Sequence, residues 1–199
     1  RNISAEQAAS LVQPGMWLEY GTSLCQPDMF DKALGARISE LTNVKIRNCL
    51  SLRPRAVLEA DPDGLHAHWF SLHFSGYDRK KHDLGRANYL PVNLGEIPDY
   101  YRRFIEPVDI VILKCCSMDK NGHFNFSAAN RWHRAIIERA KLVIVETTKG
   151  NPYVHGADTG IHVSEVDYVI EGDDAPAVEL PNPPPGDVDR AVARLITAE

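Results

Sequence analysis

Two apolar runs limit the fold of this chain more than any other feature. Val108–Cys115 (VDIVILKC) and Leu142–Val145 (LVIV) are rich in β-branched residues, as strands buried on both faces are. Ala128 to Ala140 between them has helical character, and Val166 to Ile170 forms a third run. Strand, helix and strand at this spacing predict parallel strands joined by crossovers, an α/β fold with a mainly parallel sheet flanked by helices. The longest run, Val108 to Leu113 broken by Asp109, falls far short of the ~20 residues a membrane span needs. With 199 residues the chain can bury one sizeable core.

The rest of the chain is punctuated consistently with that frame. Ser4-Ala-Glu-Gln7 is a capping box ahead of Ala8, Ala9, Leu11 and Val12, and Pro14-Gly15 ends that helix. Met16 to Tyr20 reads as a strand running into Gly21. A helix starts near Pro27-Asp28 and carries Met29, Phe30, Ala33, Leu34 and Ile38. Val44 to Leu50 reads as a strand, and Ala56 to Glu59 as a short one. His66 to Phe74 looks extended, Asp78 to Arg86 is a charged helix or loop, and Leu94 to Ile105 is a helix with Pro98 in its first turn. Residues 1–181 are read as one domain. Asn182-Pro-Pro-Pro-Gly186 is a stiff break, and an amphipathic helix over 187–198 leads toward a further domain.

Composition narrows the partners. A net charge of −5 argues against nucleic acid as the main partner, since that affinity rests on surplus Lys and Arg. No signal-peptide pattern opens the chain, and Cys25, Cys49, Cys115 and Cys116 lack a C-x-x-C pair, so buried reduced thiols and a cytoplasmic location are expected. His66, His68, His73, His82 and Asp83 do not make a ligand set by spacing, and no metal is expected.

Four segments could carry chemistry. Gly21-Thr-Ser-Leu-Cys-Gln-Pro27 joins a strand to a helix N-terminus, where backbone N–H groups face outward and open α/β sheets hold ligands; it is equally a plain connection. His73-Phe-Ser-Gly76, with the basic residues after it, could form a site or a subunit contact. Ser117 to Phe126 is turn chemistry after a buried strand, and reads equally as a hairpin beside the sheet. Glu146, ending a core strand, is a candidate nucleophile or base, although a carboxylate bonding backbone amides is the more economical reading.

Taken together, six ordered segments give the chain a specific resemblance. They are Glu19–Pro27, Pro54–Asp61, His73–Lys80, Met118–Phe126, Arg134–Glu138 and Ile161–Tyr168. They are similar to the N-terminal domain of the acetyl-CoA hydrolase/transferase family, which includes 4-hydroxybutyrate and butyryl-CoA:acetate CoA-transferases. The resemblance implies a CoA-transferase-like domain and a ping-pong transfer of CoA from an acyl-CoA to a short-chain carboxylate. The implied steps pass through a glutamyl-CoA thioester. No permanent cofactor is implied, and the CoA thioester is substrate. The nucleophilic glutamate is expected in a second, C-terminal half, so this chain alone should be inactive, and a homo-oligomer is expected. A hydrolase of the same family, or a non-catalytic CoA-binding or assembly module, stands as the alternative.

On this resemblance the substrate-binding residues are Gly21, Leu24, Cys25, Gln26, Pro27, His73, Ser75, Gly76, Met118 and Asn125. The amides around Leu24, Cys25 and Gln26 are expected to line an acyl pocket or stabilise an oxyanion. The family's usual Ser-Pro-Met-Asp-Lys-His-Gly stretch appears here as Cys116-Ser-Met-Asp-Lys-Asn-Gly122.

Overall fold

The computed structural model describes residues 1–180 and 182–198. The two apolar runs form adjacent strands, β5 (Ile110–Cys116) and β7 (Leu142–Thr148), paired in parallel from Ile110↔Leu142 to Cys116↔Thr148. Every residue of β5 is buried. Around them a seven-stranded sheet runs β4-β3-β2-β1-β5-β7-β9, every pair parallel. The other members are β1 (Trp17–Thr22), β2 (Val44–Cys49), β3 (Ala67–Ser71), β4 (Asn88–Tyr89) and β9 (Tyr168–Glu171). The expected α/β class with a parallel sheet is what the structure has.

Period-two alternation sends neighbouring side chains to two cores. Ile110, Ile112 and Ile144 face one core with Leu18, Tyr20 and Ile46. It is covered by α1 (Ala5–Ser10), α2 (Met29–Arg37) and α3 (Ala56–Glu59). Val111, Leu113, Cys115, Val143 and Val145 face the other, under α5 (Ile97–Arg103) and α6 (His133–Ile137). All four cysteines are free and buried. No helix among the described residues is long and apolar enough to cross a membrane.

The strand order reverses between β1 and β5. From β1 the chain winds outward through β2, β3 and β4, then returns to lay β5 on the other side of β1. That reversal is a topological switch point, the position where open α/β sheets hold ligands; here the segments that follow β1 and β5 meet through the Cys25 thiol and the Phe126 carbonyl.

Three elements differ from the sequence reading. Ala56–Glu59, expected as a strand, is the helix α3. Asp31 of α2 supplies the reason: its carboxylate accepts from the N–H of Ala56 at 2.5 Å and of Val57 at 3.5 Å, which caps the new helix from outside its own segment. The helix expected over Ala128–Ala140 is reduced to α6. Before it, Ser127 adopts φ +56°, held by its N–H to Asn125 Oδ1 and its hydroxyl to the Pro152 carbonyl. Phe124 lies in a strand as expected, β6 (His123–Asn125), but its partner is β8 (Gly160–His162), antiparallel and in a separate two-stranded sheet. The Asp119 turn before it forms, with Asp119 Oδ1 accepting from the N–H of Asn121 and His123. Ser75 caps the charged segment as α4 (Gly76–Asp83), and α7 (Asp187–Thr197) follows the proline run.

Burial lifts the Asp31 carboxyl to about 6, against the pull of Arg55 and its amide bonds. A carboxyl raised above its unfolded value binds its proton more tightly in the folded chain. Its contribution is greatest below the unfolded value and is lost as pH rises through about 6. Asn at this position keeps an acceptor for Ala56 but does not titrate. The stability of Asp31→Asn relative to the wild-type chain should therefore increase from pH 4 to pH 7, measured by urea unfolding; a difference independent of pH would refute the assignment.

Candidate functional site

The loop leaving β1 is shaped by its first residue. Gly21 has φ +65°, and a Cβ there would stand 2.6 Å from Leu113 Cδ2 and 3.0 Å from His133 Nε2. Only glycine fits that close approach. His133 is wholly buried against Phe126, with ring centroids 4.9 Å apart, and neither ring nitrogen has a hydrogen-bond partner. Burial, aided by Arg131, depresses its pKa to about 3, so the ring is neutral at physiological pH.

Beyond Gly21, Ser23–Cys25 forms one 3-10 turn, with Ser23 at φ +43°. The Gln26 N–H closes this turn on the Ser23 carbonyl at 3.2 Å, so it is committed within the loop. Cys25 is buried, and its thiol donates to the Phe126 carbonyl at 3.0 Å. Burial raises that thiol far above its ordinary range, leaving it a protonated, inert group. Gln26 Nε2 lies 3.2 Å from the Cys49 carbonyl, 3.3 Å from Asn48 Oδ1 and 3.4 Å from Ser51 Oγ. Pro27 is buried and leads into α2; Leu24 is half-buried, its carbonyl accepting from Asn151 Nδ2.

The other predicted residues distribute around this loop. Asn125 is buried and structural in its bonds, spanning Val154 and Ser127. Its segment meets the loop through the Cys25–Phe126 bond. Ser75 caps α4, while Asp78 in that helix accepts from the N–H of Ser75 and Ser51, and so joins the segment to the Gln26 network. His73 and Gly76 are exposed. His73 lines a cavity of about 350 Å³ with Cys49, Arg131 and Trp132. Met118 is exposed just past β5. The structure thus brings Gly21–Pro27, the Phe126 end of the 118–126 segment and the Ser75 turn into one bonded neighbourhood, with His73 at its flank and Met118 on the surface.

A charge cluster at the end of this loop was not anticipated from the sequence. Asp28 is approached by three cations: Lys114 of β5, Arg53 Nη1 at 2.8 Å and Arg55 Nη1 at 3.4 Å. Burial acts to raise the Asp28 carboxyl, but Lys114, then Arg55 and Arg53, hold it below its ordinary range. The space remaining among Gln26, Asp28, Arg53, Arg55 and Lys114 is about 10 Å³, room for roughly one water. A lysine inside a seven-residue buried strand was the available signal, because such a charge needs a partner.

Glu146 is the fourth candidate. It lies in β7, wholly buried. Oε1 accepts from the N–H of Asp28 at 2.8 Å and Met29 at 3.1 Å, and Oε2 from Phe30 at 2.9 Å. Burial raises its carboxyl, and the three amides oppose that rise. Both oxygens are engaged on the first turn of α2, so the carboxylate serves as a cap.

Residues 1–181 match the family described as the acetyl-CoA hydrolase/transferase N-terminal domain. A butyryl-CoA:acetate CoA-transferase of Anaerostipes caccae is 37% identical over 97% of this chain, which covers 44% of that protein. A 4-hydroxybutyrate coenzyme A transferase of Clostridium kluyveri is 29% identical over 96% of this chain, covering 44% of that protein. Among solved structures, RipA from Yersinia pestis superposes with a TM-score of 0.86 at 21% identity, over all of this chain and 48% of RipA. The chain spans somewhat under half the length of the curated relatives it matches across most of its own length.

Two substitutions test this geometry. Gly21→Ala should lower unfolding stability by about 2 kcal/mol through positive φ and overpacking against Leu113 and His133. Glu146→Ala, which strands three α2 amides, should cost about 3 kcal/mol in denaturant unfolding, with a smaller loss for Glu146→Gln. Unchanged stability in Glu146→Ala would remove its role as a cap.

Proposed function

The chain belongs to the acetyl-CoA hydrolase/transferase family through its N-terminal domain, and we propose that it is the non-nucleophilic half of a CoA-transferase. In this reading the complete protein moves CoA from an acyl-CoA to a short-chain carboxylate. The observation that carries it is the match of 97% of this chain to 44% of a butyryl-CoA:acetate CoA-transferase.

The proposed chemistry is covalent catalysis by a carboxylate in the C-terminal half. That glutamate attacks the acyl-CoA carbonyl, expelling CoA thiolate and forming a mixed anhydride. The thiolate returns to the glutamyl carbonyl and releases the acyl group as carboxylate. An incoming carboxylate then reverses both steps, leaving a new acyl-CoA and the free glutamate. Glu146 supports placing the nucleophile elsewhere, because both of its oxygens bind α2 amides.

The first half would contribute the loop Gly21–Pro27, with His73, Ser75, Gly76, Met118 and Asn125 bordering the cleft, at the switch point between β1 and β5. A location there is supported by the reversal of strand order. The buried free thiols agree with a reducing cytoplasm, and a homo-oligomer completes the proposal.

The test assays the 199-residue chain alone and together with a C-terminal half, using butyryl-CoA or acetyl-CoA and a carboxylate acceptor. The chain alone should show no turnover, and the pair should transfer CoA to the acceptor. Robust transfer by the chain alone would overturn the missing-nucleophile reading. CoA release without acceptor consumption would convert it to hydrolysis.

A further inference from the structure

The small sheet beside the main one brings two histidines face to face. β6 and β8 pair antiparallel with His123 opposite His162, although the two are far apart in sequence. The Val163 N–H donates to the Gly122 carbonyl at 2.8 Å, one step along the ladder. His123 and His162 are therefore a non-hydrogen-bonded pair, the position at which facing side chains come closest. Alternation along the strands settles the face. Phe124 and Ile161, the next pair, are buried in the core. Both imidazoles thus project from the opposite side of the ribbon, His123 exposed and His162 half-buried.

The ring geometry suits a chelate. The imidazole centroids are 4.9 Å apart, with the ring planes inclined at 63°. A metal–nitrogen bond of about 2.0–2.1 Å, with the ring centre about 1.1 Å beyond the nitrogen, fixes the spacing of two imidazoles on one ion. Between a right angle and the tetrahedral angle at the metal, that spacing is about 4.5–5.2 Å. Gly122 permits the approach. A Cβ there would stand 2.9 Å from His162 Nε2, so this nitrogen leans toward the strand that carries His123.

The surroundings agree with a cation. His162 Nδ1 lies 2.8 Å from Ser164 Oγ and accepts from the Ser164 N–H at 3.3 Å. When the hydroxyl accepts from Nδ1–H instead, Nε2 keeps its lone pair and the ring is oriented as metal-bound imidazoles commonly are. Asp119 Oδ1 accepts from the His123 N–H at 2.9 Å, which sets a negative charge beside the pair. Among the described residues no group of three or more potential ligands assembles, so water would complete the coordination. Linear spacing gave no reason to expect a metal, because the pair exists only through the register of β6 on β8.

We propose that His123 and His162 form an exchangeable site for a divalent transition-metal ion that takes imidazole ligands, of the Zn²⁺ class, stapling β6 to β8. Neither residue is assigned to the proposed cleft. The site does not rest on the transferase reading, and its test reads binding rather than turnover.

The ¹⁵N-labelled chain is titrated with zinc chloride at pH 7 while the imidazole ring-nitrogen signals are followed. Those of His123 and His162 should shift together and saturably, and the remaining histidines should stay in place. Mg²⁺, which prefers oxygen ligands, should move neither signal up to about 10 mM. His123→Asn and His162→Asn should each weaken Zn²⁺ binding by at least about tenfold, because one imidazole alone does not chelate, with the far-UV circular dichroism unchanged.

Affinity within about twofold of wild type in either variant would overturn the proposal. So would saturation at His66 and His68 in place of this pair, or no saturable shift of His123 and His162 up to about 1 mM Zn²⁺.

Discussion

The arrangement around the first loop depends on an exchange of partners between two carboxylates. Asp28 stands at the N-cap of α2, where Asp ordinarily accepts from the helix's own amides, yet its side chain makes no capping bond. It is held by Lys114, Arg53 and Arg55 instead. The α2 amides that it leaves open are satisfied by Glu146, which reaches them from β7 across 117 residues of sequence at Met29. Each carboxylate is needed where it is. Removing Glu146 strands amides, and removing Asp28 leaves buried cations without a counter-charge. Loop, helix and sheet are thereby locked into one geometry.

That lock fixes the whole loop, although only its Ser23–Cys25 turn is helical. Its upstream end is set by close packing of Gly21 on Leu113 and His133. Its middle is stitched to the strand ends by Gln26 and Cys25. Its downstream end is fixed by charge. Under the proposed division of catalysis between two halves, each half must present its surface without the other's help. A loop determined by its own domain meets that need.

Much of the fold was legible because the decisive signals were local. The apolar runs of β5 and β7 announced a buried parallel sheet, and the Ser4 capping box marked the first residue of α1, although the helix ends at Ser10, before the Leu11 and Val12 it was expected to carry. What was illegible depended on distant partners. Ala56–Glu59 carries no cap of its own, so its helical state is decided by Asp31, twenty-five residues away from Ala56. The helix before α6 is cut short by Ser127, whose left-handed backbone is fixed by Asn125 and Pro152. At the site, the Gly21–Pro27 loop was visible as a strand-to-helix turn, whereas the cationic cluster was not. Its members come from the loop, from the segment after β2 and from β5, and no linear spacing relates them. Glu146 shows the same limit in reverse, since its position suggested chemistry and its partners make it a cap.

The central place of β1 has a consequence for how the chain is made. One edge of β1 pairs with β2 within thirty residues, as Trp17 with Lys45, but its other edge waits for β5, which meets it at Leu18↔Ile110. A growing chain emerges from the ribosome in order, so β1 keeps an open row of backbone donors and acceptors while the residues between it and Ile110 are made. For that interval the centre of the finished sheet is an edge. During that interval the open edge of β1 is free to pair with the wrong strand, and a pause in translation before Ile110 would prolong it.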